Sequence, residues 1–215
     1  MKIPLCKPSI DSKEIKTVSK LLKTQWLSHG AYNNKFEEKF NKLFKTKYSI
    51  SMNSCTSALE CAIKSLGLKG EVIIPSFTWV STANAVINSG CKPVFADINF
   101  ETRNIDPKSI EKNINKNTSG IIVVHFAGLP CDMDNILNLC KKYKLSLIED
   151  SAETLGAKFR NKYTGTFGIG CFSFFPTKNI TTTEGGMMTT DNIKIYHKAK
   201  KIIAHGIDKN KKKNF

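Results

Sequence analysis

Nowhere in the chain do about 18 apolar residues follow one another without interruption, the length a membrane-crossing helix needs. The opening Met1-Lys2-Ile3-Pro4-Leu5-Cys6-Lys7-Pro8 carries lysines with no apolar run behind them, so it does not read as an export leader. Both absences point away from the membrane and toward a soluble, cytoplasmic protein. C-x-x-C pairs are lacking as well. The seven cysteines, at 6, 55, 61, 91, 131, 140 and 171, are scattered and odd in number, which argues against a disulfide framework and against a zinc site. No metal is expected. Internal repeats, low-complexity tracts and Pro/Ser-rich linkers are also missing, so the 215 residues read as one large domain, 1–215, with a helical arm at its start.

Acidic residues are scarce: 18 Asp and Glu stand against 33 Lys and Arg, a formal charge of +15. A balance this basic raises nucleic acid as a partner. The charge is spread over nearly every expected helix and turn, however, and its densest run, Lys209 to Lys213, sits at the far end of the chain. No clustered aromatic-basic face accompanies it. A lysine-rich solvated surface is the expectation, with a field that would favour a small anionic ligand such as a nucleotide diphosphate.

Two amphipathic stretches open the chain, at 11–24 and 33–45, with apolar residues at helical spacing (Ile15, Val18, Leu21, Leu22; Phe36, Phe40, Leu43). Short apolar strands are then expected at 48–52, 71–75, 93–97, 120–126, 145–149 and 171–175, separated mostly by helical patterns, with a last helix near 192–204. Alternation of this kind predicts an α/β domain built on a mostly parallel, covered sheet.

Four segments carry chemistry. Phe172-Ser173-Phe174-Phe175-Pro176-Thr177-Lys178 delivers a lone lysine from an apolar strand into a loop that ends at Gly185-Gly186. A desolvated ε-amine there is a Schiff-base nucleophile, although a loop lysine is as a rule simply solvated. Leu147-Ile148-Glu149-Asp150-Ser151-Ala152-Glu153 puts Asp150 at a strand's C-terminal end, where open α/β sheets bind ligands and where a carboxylate can hold a protonated ring nitrogen. A helix cap is the plainer alternative. Asn53-Ser54-Cys55-Thr56-Ser57 closes one strand and opens a helix, an arrangement suited to a phosphate or to capping alone. Trp79 follows another strand end, where its indole could cover a flat ring or fill the core.

In this order the segments resemble the DegT/StrS sugar aminotransferases, of pyridoxal phosphate (PLP) fold-type I. Further motifs extend the likeness from Pro4 to Gly206: Trp26-Leu27-Ser28-His29-Gly30, the Pro75 to Ala85 run, Lys92-Pro93-Val94-Phe95-Ala96-Asp97 and Val124-His125-Phe126-Ala127-Gly128-Leu129-Pro130. The resemblance implies a three-layer large domain that binds PLP, with Lys178 as the Schiff-base lysine and proton carrier and Asp150 on the pyridine nitrogen. It places Trp79 against the ring, Cys55, Thr56 and Ser173 at the phosphate, and Glu153 near the phenolic oxygen. It further implies transfer of an amine from an amino acid, glutamate most often, to a nucleotide-linked keto-sugar by a homodimer.

Two residues depart from the pattern. Many relatives carry Gln or His in place of Glu153, and Gly in place of Cys55. Family members also continue into a smaller C-terminal domain, so the expectation is a large domain without its small one, and the alternative is a catalytically impaired fragment that only binds PLP or sugar nucleotide. A dehydratase on the same scaffold would have histidine where Lys178 stands.

Overall fold

The computed structural model describes residues 3, 4 and 6–207; the lysine run at 209–213 lies outside them. Helix α1 (Ser12–Lys23) starts in a capping box, with the Asp11 carboxylate accepting from the Lys13 N–H and Glu14 accepting from the Asp11 N–H. It buries none of its residues. Helix α2 (Ala31–Phe44) buries Glu37, Phe40 and Phe44 and leads into strand β1 (Tyr48–Met52). Glu37 accepts from the Ser51 N–H at 2.8 Å and lies 3.6 Å from Lys200, so one buried carboxylate joins α2 to the sheet and to the last helix.

The α/β alternation then runs α3 (Cys55–Leu66), β2 (Glu71–Pro75), α4 (Val80–Asn88), β3 (Lys92–Ala96), α5 (Pro107–Asn113), β4 (Thr118–Val124), α6 (Met133–Tyr143) and β5 (Ser146–Asp150). A two-residue hairpin, β6 (Lys158–Phe159) with β7 (Lys162–Tyr163), precedes β8 (Ile169–Ser173), β9 (Gly186–Thr190) and α7 (Ile193–Ile202). Seven strands form one sheet in the order β1-β9-β8-β5-β4-β2-β3. From β8 to β3 every pair is parallel, and β9 alone runs against both of its neighbours.

Period-two alternation decides the layers. Val72, Ile74, Ile122 and Ile148 point to the face covered by α3, α4 and α7, whereas Ile73, Ile121, Val123 and Leu147 point to the face covered by α5 and α6. On that second face α2 packs Phe40 and Phe44 against Phe172, Phe174 and Met187. The result is the expected three-layer α/β domain with a mostly parallel sheet.

Boundaries differ from the sequence reading where the chain leaves the sheet to build the site. The strand expected at 120–126 ends at Val124, and the His125 N–H donates to the Asp150 carbonyl before a 3-10 turn at Phe126–Gly128. The strand expected at 171–175 ends at Ser173. β9 was not expected at all: Gly-Met-Met-Thr-Thr shows no alternation because all five of its residues are buried. Gly186 opens it for a steric reason, since a β-carbon there would stand 2.6 Å from the Cys55 nitrogen.

Candidate active site

Every residue singled out from the sequence except Glu153 and Lys178 lies at or next to the C-terminal end of a sheet strand. Asp150 ends β5, Ser173 ends β8, Cys55 and Thr56 open α3 after β1, and Trp79 caps α4 after β2. This is the edge at which open α/β sheets receive ligands. Glu153 and Lys178 reach it from the loops after β5 and β8.

Asp150 is 5% exposed and its carboxylate is well furnished with donors. Oδ1 accepts from the Ala152 N–H at 3.1 Å and faces the Cys55 thiol at 3.8 Å, while Oδ2 accepts from the Thr82 hydroxyl at 3.1 Å. Burial pushes its pKa above the ordinary carboxylate value, opposed by the Ala152 and Thr82 hydrogen bonds and by the charge of Lys178. The Cys55 thiol is held well above its usual pKa, by burial first and then by the Asp150 charge, so it stands as a neutral S–H donor.

Lys178 sits in a turn closed by its own N–H on the Phe175 carbonyl, and its Nζ is 3.3 Å from Glu153 Oε1. Glu153 Oε2 accepts from the Ala127 N–H at 2.8 Å, which ties the Lys178 loop to the turn after β4. The structure therefore brings Cys55, Asp150, Glu153 and Lys178 into one group. Among the described residues no hydrogen bond joins Trp79, Thr56 or Ser173 to it; Ser173 Oγ accepts from the Phe175 N–H, and Trp79 is 79% exposed.

Behind these groups stands a buried clamp that the sequence reading did not resolve. Glu149 accepts from the N–H groups of Gly165, Phe167 and Gly168, each at 2.7 Å, and from His125 Nε2 at 3.1 Å. His125 Nδ1 accepts from the Cys131 N–H, so the network assigns the imidazole proton to Nε2. Thr82 was given no role from the sequence, although it is one of the threonines of the Pro75 to Ala85 run that carries the resemblance and lies three positions beyond Trp79 in the first turn of α4.

The donor set suits PLP. At the start of α3, Ser54 Oγ accepts from the Ser57 N–H and the Ser54 carbonyl from the Ala58 N–H, leaving the Cys55 and Thr56 N–H groups without a partner among the described residues. Two free amides at the positive end of a helix suit a phosphate. A buried carboxylate suits a ring nitrogen, and an amine in the same crevice suits an aldehyde. A separate cavity of about 410 Å3, lined in part by His29, Ser57 and Lys64, contains none of the seven proposed residues.

A family model, the DegT/DnrJ/EryC1/StrS aminotransferase family, matches residues 8–215. The chain belongs to that family. Its members are PLP-dependent enzymes of fold-type I. A curated relative, protein MJ1066 of Methanocaldococcus jannaschii, is 44% identical over 216 residues, covering 99% of this chain and 56% of the relative. The solved aminotransferase of Psychrobacter cryohalolentis superposes with a TM-score of 0.92 at 35% identity, over 97% of this chain and 55% of that one. The E. coli GDP-4-keto-6-deoxy-D-mannose-3-dehydratase, solved with bound hydrated PLP, gives 0.92 at 33% identity over 99% of this chain and 57% of that one. The chain thus spans little more than half the length of these relatives.

Proposed function

We propose that this chain is the large domain of an aminotransferase that binds PLP and moves an amino group from an amino acid, glutamate foremost, to a nucleotide-linked keto-sugar. The observation that carries the reading is that buried Asp150 and Lys178 come close enough at one edge of the sheet for the lysine's charge to act on the carboxylate, with the Lys178 amine 3.3 Å from Glu153 Oε1. Bound there, PLP supplies an electron sink that stabilises negative charge developing at the donor's α carbon.

The protein's side chains divide the remaining work. Asp150 holds the pyridine nitrogen and favours its protonated form. Lys178 Nζ is the nucleophile that anchors the cofactor, and once freed it carries the proton to and from the donor's α carbon. Glu153 Oε1, paired with Lys178 Nζ at 3.3 Å, would hold the amine in place and face the cofactor's phenolic oxygen. The free N–H groups of Cys55 and Thr56, with the Ser173 hydroxyl, hold the phosphate. Trp79, exposed at the mouth of the site, offers its indole face to the ring. A homodimer working in the cytoplasm completes the reading; among the described residues no helix is long and apolar enough to cross a membrane. The dehydratase alternative is disfavoured by lysine at position 178.

The test is covalent capture. With PLP the folded chain should gain visible absorbance, and borohydride reduction followed by peptide mapping should place the cofactor on Lys178 and on no other lysine. Lys178→Ala should abolish both signals. A label elsewhere, or none on a chain shown to be folded, rules the assignment out.

A further inference from the structure

Asp150 is oriented by a chain of two threonines. Thr82, fully buried in the first turn of α4, lies 3.1 Å from Asp150 Oδ2 and 2.8 Å from the Thr78 hydroxyl one turn earlier. A hydroxyl has one proton to give, and an ionised carboxylate can only accept. Thr82 must therefore spend its proton on Asp150 and accept from Thr78, which gives the relay a fixed direction from Thr78 through Thr82 to Asp150.

The carboxylate's capacity gives the relay its use. Two oxygens offer about four acceptor positions. Two on Oδ1 are engaged by the Ala152 N–H and the Cys55 thiol, and one on Oδ2 by Thr82, so the open position is on Oδ2 beside Thr82. Resting on the cofactor reading above, we propose that Thr82, backed by Thr78, is the positioning residue that keeps Asp150 ionised and presents the free lone pair of Oδ2 to the cofactor's ring nitrogen. The relay also ties the partner of the ring nitrogen to the turn that carries Trp79, so the two proposed ring contacts are set by one helix start.

The groups that face Asp150 are few. Cys55 comes from α3, Cys171 from β8, Lys178 from the loop after β8 and His125 from the end of β4. Burial works against the charge, and the Lys178 ammonium and the Cys55 S–H work with it, so losing the Thr82 donor shifts the balance toward the neutral acid.

The decisive measurement is the titration of Asp150 in the PLP-free chain by carboxyl-carbon NMR, assigned with Asp150→Asn. Thr82→Val, which keeps the shape and removes the hydroxyl, should raise the midpoint by about one unit or more. Thr82→Ser should restore it, and Thr78→Val should give a smaller rise in the same direction. In the wild-type chain the Thr82 hydroxyl proton should exchange slowly with solvent and shift as Asp150 titrates, which tests the relay even where Thr82→Val fails to fold. An unmoved midpoint in folded Thr82→Val, a serine variant that behaves like valine, or a fast-exchanging hydroxyl blind to the titration each overturns the proposal. PLP affinity, read by absorbance, should fall about tenfold in Thr82→Val, one unit being a factor of ten. A wild-type chain that binds no PLP would instead sink the cofactor reading and leave the relay to be judged by the titration.

Discussion

Asp150 is costly to bury as a charged group, and the sign of that cost follows from its surroundings. Burial raises its folded-state pKa above the unfolded value, so the folded chain binds this proton more tightly than the unfolded chain does. Stability is least affected below the unfolded value of about 3.9 and is lost as pH rises through the folded one. Above that window the full penalty applies. Asp150→Asn should therefore raise the melting temperature of the PLP-free chain at about pH 8, with the advantage shrinking as the pH is lowered into the acid range. The same change should weaken PLP binding. A variant less stable than wild type at every pH would mean that the donors from Thr82 and Ala152 outweigh burial. The positions of Asp150 and Lys178 were legible in the sequence, at a strand end and in a glycine-bounded loop, but their proposed roles came only from the order of the segments and the family they resemble. Thr82 was not legible, because a threonine in a first helical turn looks the same whether it caps, solvates or reaches a buried acid.

At the scale of elements, the Glu149 clamp holds the site's wall together. One buried carboxylate on β5 gathers the segment 165–168, which feeds the start of β8, and the imidazole that follows the end of β4, so three neighbouring strands are tied through one acceptor. Gly165 makes the approach possible: its φ is +76°, and a β-carbon there would collide with the Phe172 ring. Glu149→Ala would leave three N–H groups and the His125 Nε2–H unpaired in a fully buried place. Urea denaturation should show a loss of about 3 to 5 kcal/mol. A loss below about 1 kcal/mol would mean that water or a shifted loop replaces the carboxylate. The parallel strands were readable as apolar runs after helical stretches. The clamp and β9 were not, because both depend on partners distant in sequence: Glu149 on the turn at 165–168, and β9 on a β1 strand more than a hundred residues earlier. A glutamate that follows Leu-Ile in a strand looks, on the sequence alone, like one more surface charge.

The whole molecule combines strong positive charge with an uncovered apolar stripe, and the two act in opposite directions on association. On α1, Ile15, Val18 and Leu22 recur at helical spacing and are 60%, 55% and 59% exposed, and Trp26 and Leu27 beyond the helix are exposed as well. A contiguous stripe of this kind marks a surface that binds something. A chain bearing +15 also repels its own copies. Salt screens that repulsion within about 8 Å at physiological ionic strength and leaves apolar burial intact. Sedimentation at micromolar concentration should therefore show dimers or larger species whose share grows with added salt. Binding driven by charge, such as capture of random DNA, would instead weaken as salt is added. Replacing Ile15, Val18 and Leu22 by lysine should return the chain toward monomer and leave PLP capture at Lys178 unchanged, because α1 contributes none of the proposed cofactor contacts. A wild-type chain that sediments as a clean monomer at every salt concentration would show that the α1 stripe does not mediate self-association.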